Sequence, residues 1–362
     1  MEVVKSQETR YWVGSGKVFL ANYGSNKLYD IGLVTALTVE IATAEMTLPN
    51  TRTPGGGTFR KKTRIETATT TMTAHNFSMR LLAYALVGDT GVIRAGAAKH
   101  ETTLYPNSLA LLENISPTNV LIGGATYTPN SLSVGAGTSE IVFVQKVHGG
   151  TAPSIAIVNA AANTAEISVV VAGNLITVTV KDDGVNPTST LAEVIAAIED
   201  NASANALVFA MLGETANATN ITDVITETAL SGGSGTPMTV NTDYTVDGAG
   251  ILGGANLADE GVPVTVYYSY PVQELLQAVT KSSAEVSMVL SGKNEDDGDK
   301  DTVIHMYRLS VNPSGFNPLS TDSYGELEIS AELLADETRP SEVVVEGGKI
   351  TGSNYFSWKM AQ

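Results

Sequence analysis

Val264-Thr265-Val266-Tyr267-Tyr268-Ser269-Tyr270 alternates two series of side chains, the two-residue period of a strand that buries one face. The same period returns downstream. It runs through Ala284, Val286, Met288 and Leu290, through Val303, His305, Tyr307, Leu309 and Val311, and through Tyr324 to Leu333 with Leu327, Ile329 and Ala331 on one side. Long alternating runs in succession predict antiparallel pairing with one wet face.

Working back from this stretch, Lys17 to Tyr23 reads as a strand, Gly24-Ser25-Asn26 as a turn, and Leu33 to Ile41 as a second apolar run. From Thr47 to Lys62 the pattern stops at Pro49, Pro54 and Gly55-Gly56-Gly57, and Arg60, Lys61, Lys62 and Arg64 close the interval. A long, flexible, basic loop is expected there, with Arg52 inside it. Thr63 to Thr73 alternates again, with Ile65, Thr67, Thr69 and Thr71 on one face. Asn76 is placed to cap a short helix whose Phe77, Leu81, Leu82 and Ala85 share a face and which Gly88 ends.

The middle of the chain differs in character. It is very poor in Lys and Arg and is bounded by Gly123-Gly124 and Gly232-Gly233-Ser234-Gly235. Glu166 to Ala172 and Leu175 to Lys181 read as a hairpin turned at Gly173-Asn174. A helix follows, with Thr190 as N-cap, Glu193 in the capping-box position, and Leu191, Val194, Ile195 and Ile198 as its stripe. Asn205 to Leu212 and Ile221 to Thr226 are predicted strands. The expected organisation is therefore one discontinuous β domain, residues 1–124 and 236–362, interrupted by a small α+β domain over 125–235.

With 362 residues, 16% charged and 43% hydrophobic, the chain has ample material for packed cores. It contains no cysteine, so disulfides, thiolate nucleophiles and thiolate metal sites are ruled out. Met1 to Gly16, with Lys5 and Arg10, lacks the apolar stretch of a signal peptide or membrane anchor, so membrane insertion is not expected and the cytoplasm is the expected place of synthesis and assembly. The net charge of −17 opposes a grip on nucleic-acid backbone. Residues 1–119 carry +3, residues 120–236 carry −8 and residues 237–362 carry −12, an asymmetry suited to head-to-tail attraction between copies.

No residue pattern points to a catalytic, cofactor or metal site. His75, His100, His148 and His305 are scattered, and none has metal-site spacing with another ligand. Glu295, Asp296, Asp297, Asp299 and Asp301 fail the EF-hand test: counted from Asp297, Thr302 stands where glycine is required and Arg308 where the bidentate glutamate belongs. A turn between strands is the preferred reading. Gly14-Ser15-Gly16 precedes a strand rather than following one, which disfavours a phosphate loop. The basic run at 60–64 lacks interleaved aromatics and suits a contact with acidic surface on a neighbouring subunit.

Gly16-Lys17-Val18-Phe19-Leu20-Ala21, Tyr29-Asp30-Ile31-Gly32-Leu33-Val34, the long loop, the Thr-rich strand and the short helix together resemble the major tail-tube proteins of long-tailed bacteriophages. The C-terminal part is similar too, in Asp243-Tyr244-Thr245-Val246-Asp247, Gly292-Lys293-Asn294, Arg308-Leu309-Ser310-Val311-Asn312-Pro313 and Tyr324-Gly325-Glu326-Leu327-Glu328-Ile329. The resemblance covers roughly residues 10–120 and 238–360. It implies a mainly β fold, a barrel or sandwich with a flanking helix, in subunits that form stacked, usually hexameric rings. Those rings would make a virion tail tube, contacting copies of the chain, a tape measure and other tail proteins, with viral DNA passing through a negatively lined lumen without specific binding. Thr47, Arg52, Arg60, Lys61, Lys62 and Arg64 would belong to the loop that bridges rings. The alternatives are another virion part, such as a terminator, sheath or capsid decoration protein, or a carbohydrate-binding surface protein.

Overall fold

The computed structural model describes residues 14–52, 56–124, 127–160, 166–183, 186–217, 219–315, 324–345 and 348–361. Lys5, Arg10, Trp12, Pro54 and Gly55 lie outside them. The chain is mainly β and forms two compact units, one from residues 1–91 with 274–362 and one from Val92–Gln273. The segment 125–235 falls wholly within the second.

In the first unit, β1 (Gly14–Asn22), β2 (Tyr29–Asp30), β3 (Val34–Pro49) and β4 (Thr58–Ala74) join C-terminal strands in one sheet. Its order is β2, β1, Ala284–Asn294, Lys300–Asn312, Leu327–Leu333, β4, β3, and Phe356–Met360 pairs beside Lys300–Asn312. The path is open at both ends, so the described strands do not close into a barrel. The two ends of the chain share this sheet because β1 runs in register with Ala284–Asn294 over nine residue pairs, from Gly14 opposite Asn294 to Asn22 opposite Val286.

Helix α1 (Met79–Ala85) covers this sheet with buried Leu81, Leu82 and Ala85. Its cap is not Asn76. Ser78 Oγ accepts from Leu81 N, while Asn76 Nδ2 donates to Ile31 O at 3.1 Å and so tethers the turn before the helix. The core takes Ala68, Thr70, Met72 and Ala74 from β4, the opposite face from Thr67, Thr69 and Thr71, and the register shift at Glu66 parts Ile65 from those three threonines. In Lys300–Asn312 a register shift opposite Val286/Met288 breaks the alternation. Met306, Leu309 and Val311 are therefore the buried set, and His305 with Tyr307 leaves that face. The acidic segment Glu295–Asp297 forms the turn between the two strands, closed by left-handed Gly298 and Asp299.

In the second unit, Val262–Tyr270 is the centre of a three-stranded sheet between Gly96–Leu104 and Thr118–Gly123, with Val264, Val266 and Tyr268 buried. A separate core runs from Val134 to Leu230 and draws on strands, α2 (Leu191–Asp200) and α3 (Ala202–Leu207). The predicted hairpin forms as Ser168–Ala172 against Leu175–Val180. Thr190 and Glu193 form the reciprocal capping box expected at α2. Helix α3 occupies part of the predicted strand Asn205–Leu212, which begins only at Val208, because Asn201 Oδ1 accepts from Ser203 N and Ala204 N and starts a new helical turn. The last strand of this module is Ile225–Ala229, shifted from the predicted Ile221–Thr226.

Candidate functional site

The interval expected as a loop is a two-stranded arm. Pairing of β3 with β4 continues to Pro49 opposite Thr58, so Thr47 lies in β3 and Arg60, Lys61, Lys62 and Arg64 lie in β4. Only the tip departs from strand geometry. Gly56 and Gly57 take left-handed backbone angles, Asn50 N donates to Gly57 O at 2.7 Å, and Asn50 Oδ1 accepts from Arg52 N at 3.0 Å. Pro49 is tolerated because it sits at the end of an edge strand. The physical reason for the correction is that threonines and apolar residues continue on both sides of the turn, and a run of cations on an edge strand does not break pairing.

Leu327–Leu333 pairs with β4 only from Thr69 to Ala74. Beyond Thr69 the two strands stand as a ribbon with no third strand among the described residues, roughly 30 Å long at the usual rise per residue. Cross-strand partners project from the same face, so the register sorts the arm's side chains. Arg60, Lys62 and Arg64 stand opposite Leu48, Met46 and Ala44. Thr47, Glu45 and Thr43 stand opposite Lys61, Thr63 and Ile65 on the other face, where Lys61 Nζ lies 2.5 Å from Glu45 Oε1. The four clustered cations of the sequence are thus divided. Three make a cationic face backed by apolar neighbours, without an ion pair among the described residues, and Lys61 is neutralised on the opposite side. Arg52 is exposed at the tip.

Two register irregularities add twist. Glu66 is skipped where Ala42 pairs with Thr67 and Thr43 with Ile65, and Phe59 is skipped where Leu48 pairs with Arg60 and Pro49 with Thr58. Ile41, Met46, Leu48, Phe59 and Ile65 are all more than half exposed. Large apolar side chains concentrated on one projecting element mark an interaction surface, while isolated ones would need no explanation. These apolar residues and Glu45 complete the arm's surface, and the trace of the arm in the sequence is the spacing Arg60, Lys62, Arg64, a two-residue cation period that belongs to a strand and not to a loop.

A second exposed ribbon pairs Glu342–Val345 with Gly348–Thr351 and displays Val343, Val344, Val345 and Ile350. Lys349 and Glu342 form an ion pair on it at 2.8 Å. Among the described residues no group of three or more acidic or histidine side chains is arranged to hold a metal, and no helix is long and apolar enough to cross a membrane. His305 is half-buried against Tyr307, with ring centroids 4.9 Å apart, and burial holds its imidazole below the ordinary range. It reads as a packed side chain.

A family model described as "Protein of unknown function UCP028589" matches residues 11–139 and 189–345, and the chain belongs to that family. The break in the match, 140–188, lies inside the second unit. No curated protein matches the chain.

Proposed function

We propose that this member of the UCP028589 family is a structural subunit that assembles with copies of itself through the β3–β4 arm, as a ring-forming component of a phage-type tail tube. The carrying observation is the arm. A ribbon with two unpaired edges is a poor solitary structure, because single two-stranded ribbons are marginal in water and open edges recruit strands. The arm's cationic face suits an acidic neighbour, and the 237–362 segment of another copy, with its charge of −12, offers one. Its exposed Met46, Leu48 and Phe59 would supply the apolar part of the contact.

In this reading the net charge of −17 also serves the conduit, since a negative wall repels phosphate and lets DNA slide. The tape measure and other tail proteins are the further partners, and the virion is the final location. Negative-stain microscopy of the purified protein tests the proposal. Tubes or stacked rings are expected, and Arg60→Glu, Lys62→Glu and Arg64→Glu together abolish them without unfolding the chain. Single closed rings from the unaltered protein would favour a terminator instead. A wild-type protein that stays monomeric at every concentration, or a triple variant that still makes normal tubes, defeats the reading.

A further inference from the structure

The 92–273 unit contains a cleft of about 910 Å³, within the usual range for a site that encloses a small organic molecule. Its walls come from the strand Gly96–Leu104, the tyrosines of Val262–Tyr270, one face of α2 and the strand Val208–Leu212. Small side chains such as Ala97 and Ala196 leave the space, and Met211, Tyr267 and Tyr270 give it apolar and aromatic surface.

Glu199, in the last turn of α2, opens into this cleft. Its carboxylate accepts a hydrogen bond from the Ala97 backbone, while its Oε1, with less than 1 Å² of accessible surface, has no hydrogen-bond partner among the described residues. Lys146, whose charge acts on this carboxyl, does not hydrogen-bond Oε1. Lys146 Nζ is committed to Asn205, donating to its O at 2.6 Å and its Oδ1 at 2.5 Å, and lies 4.7 Å from the Phe209 ring centroid. A carboxylate at a helix C-terminus also faces the negative end of the dipole. The rim adds Glu101, Glu140 and Glu214 against Arg94 and Lys99, and Lys99 is occupied by Glu101 at 2.8 Å and Glu214 at 3.3 Å. The cleft is apolar with a net negative lining, and the Glu199 carboxylate in its wall has no ion-pair partner among the described residues.

We infer that this cleft binds a small primary amine with an apolar body, the ammonium pairing with the Glu199 carboxylate and the body packing against Ala97, Ala196, Met211 and the two tyrosine rings. Aromatic faces beside an ammonium add cation–π attraction. Burial raises the Glu199 carboxyl to about 7, so the ionised form that attracts the amine gains population as pH rises through neutrality. The inference is independent of assembly through the arm.

The test is titration of the full-length protein with 2-phenylethylamine and, separately, 2-phenylethanol, read by methyl NMR of Ala, Met and Ile at pH 8 and pH 6. The amine should bind at least about tenfold more tightly than the alcohol at pH 8, with shifts at Ala97, Ala196 and Met211, and weaken several-fold at pH 6. Glu199→Gln should remove the preference for the amine, and Ala196→Phe, which fills the cleft, should remove both ligands. Equal binding of amine and alcohol, an undiminished preference in Glu199→Gln, shifts confined to other residues, or no shifts up to about 10 mM, a weak limit for so small a ligand, would each overturn the proposal.

Discussion

Replacing Asp336 by Asn should destabilise the first unit by about 2 kcal/mol at neutral pH and by almost nothing near pH 2. Asp336 is 1% exposed and gathers four donors: Tyr23 Oη at 3.0 Å, Thr338 N at 3.1 Å, Thr338 Oγ1 at 2.6 Å and Arg339 Nε at 3.0 Å. Its own N–H donates to Asn354 O at 2.8 Å, so the carboxylate joins the end of β1 to the C-terminal segment. The Thr338 hydroxyl contributes most, and with the other donors it outweighs burial and draws the carboxyl from an ordinary 3.8 to about 2. At about 1.4 kcal/mol per pH unit, that drop is worth about 2 kcal/mol of folding free energy. The sign follows from proton binding. Between the two values the unfolded chain holds more protons, so the contribution is complete above pH 3.8 and disappears as pH falls through about 2. Urea unfolding followed by tryptophan fluorescence measures it, because Trp358 sits in the strand Phe356–Met360 of the first unit and the second unit contains no tryptophan. A loss below about 0.5 kcal/mol at pH 7, the range of ordinary surface changes, or a loss that does not shrink on acidification would refute the reasoning.

Thr190→Ala removes half of the α2 capping box, in which Glu193 N donates to Thr190 Oγ1 at 3.2 Å and Thr190 N donates to Glu193 Oε2 at 2.8 Å; a loss of about 1 kcal/mol in the second unit is expected by chemical denaturation. Unchanged stability would show that the box is redundant with packing of Leu191, Val194 and Ile198. Gly292→Val should cost the first unit several kcal/mol, about the scale of core overpacking, because a Cβ there would lie 2.2 Å from Ser15 O across the β1 pairing. A thermal midpoint equal to that of the unaltered protein would mean β1 can move away without loss.

The strands were legible where one face is buried and the residue period is unbroken, as in Val264, Val266 and Tyr268, because burial of alternate side chains leaves a direct trace in sequence. The capping box at Thr190 was legible for a similar reason, since both partners lie within one turn. Legibility failed where a tertiary partner overrides local rules. The register shift opposite Val286/Met288 moved Met306 into the core in place of His305 and Tyr307, and only the neighbouring strand imposes it. In the arm, prolines and glycines at the tip mask the two-residue spacing of Arg60, Lys62 and Arg64, which is the period of the strand they occupy.

Composition and neighbours a few residues apart are enough to dictate a mainly β chain without thiol chemistry, a net acidic charge, and the local starts of its best helix and hairpin. Tertiary structure decided that β1 pairs with Ala284–Asn294 across more than 260 intervening residues, that Arg60, Lys62 and Arg64 share one face while Lys61 answers Glu45 on the other, and that Glu199 opens into a cleft. Each depends on strand register or on packing between distant segments, and a one-residue slip in register would exchange every face of the arm.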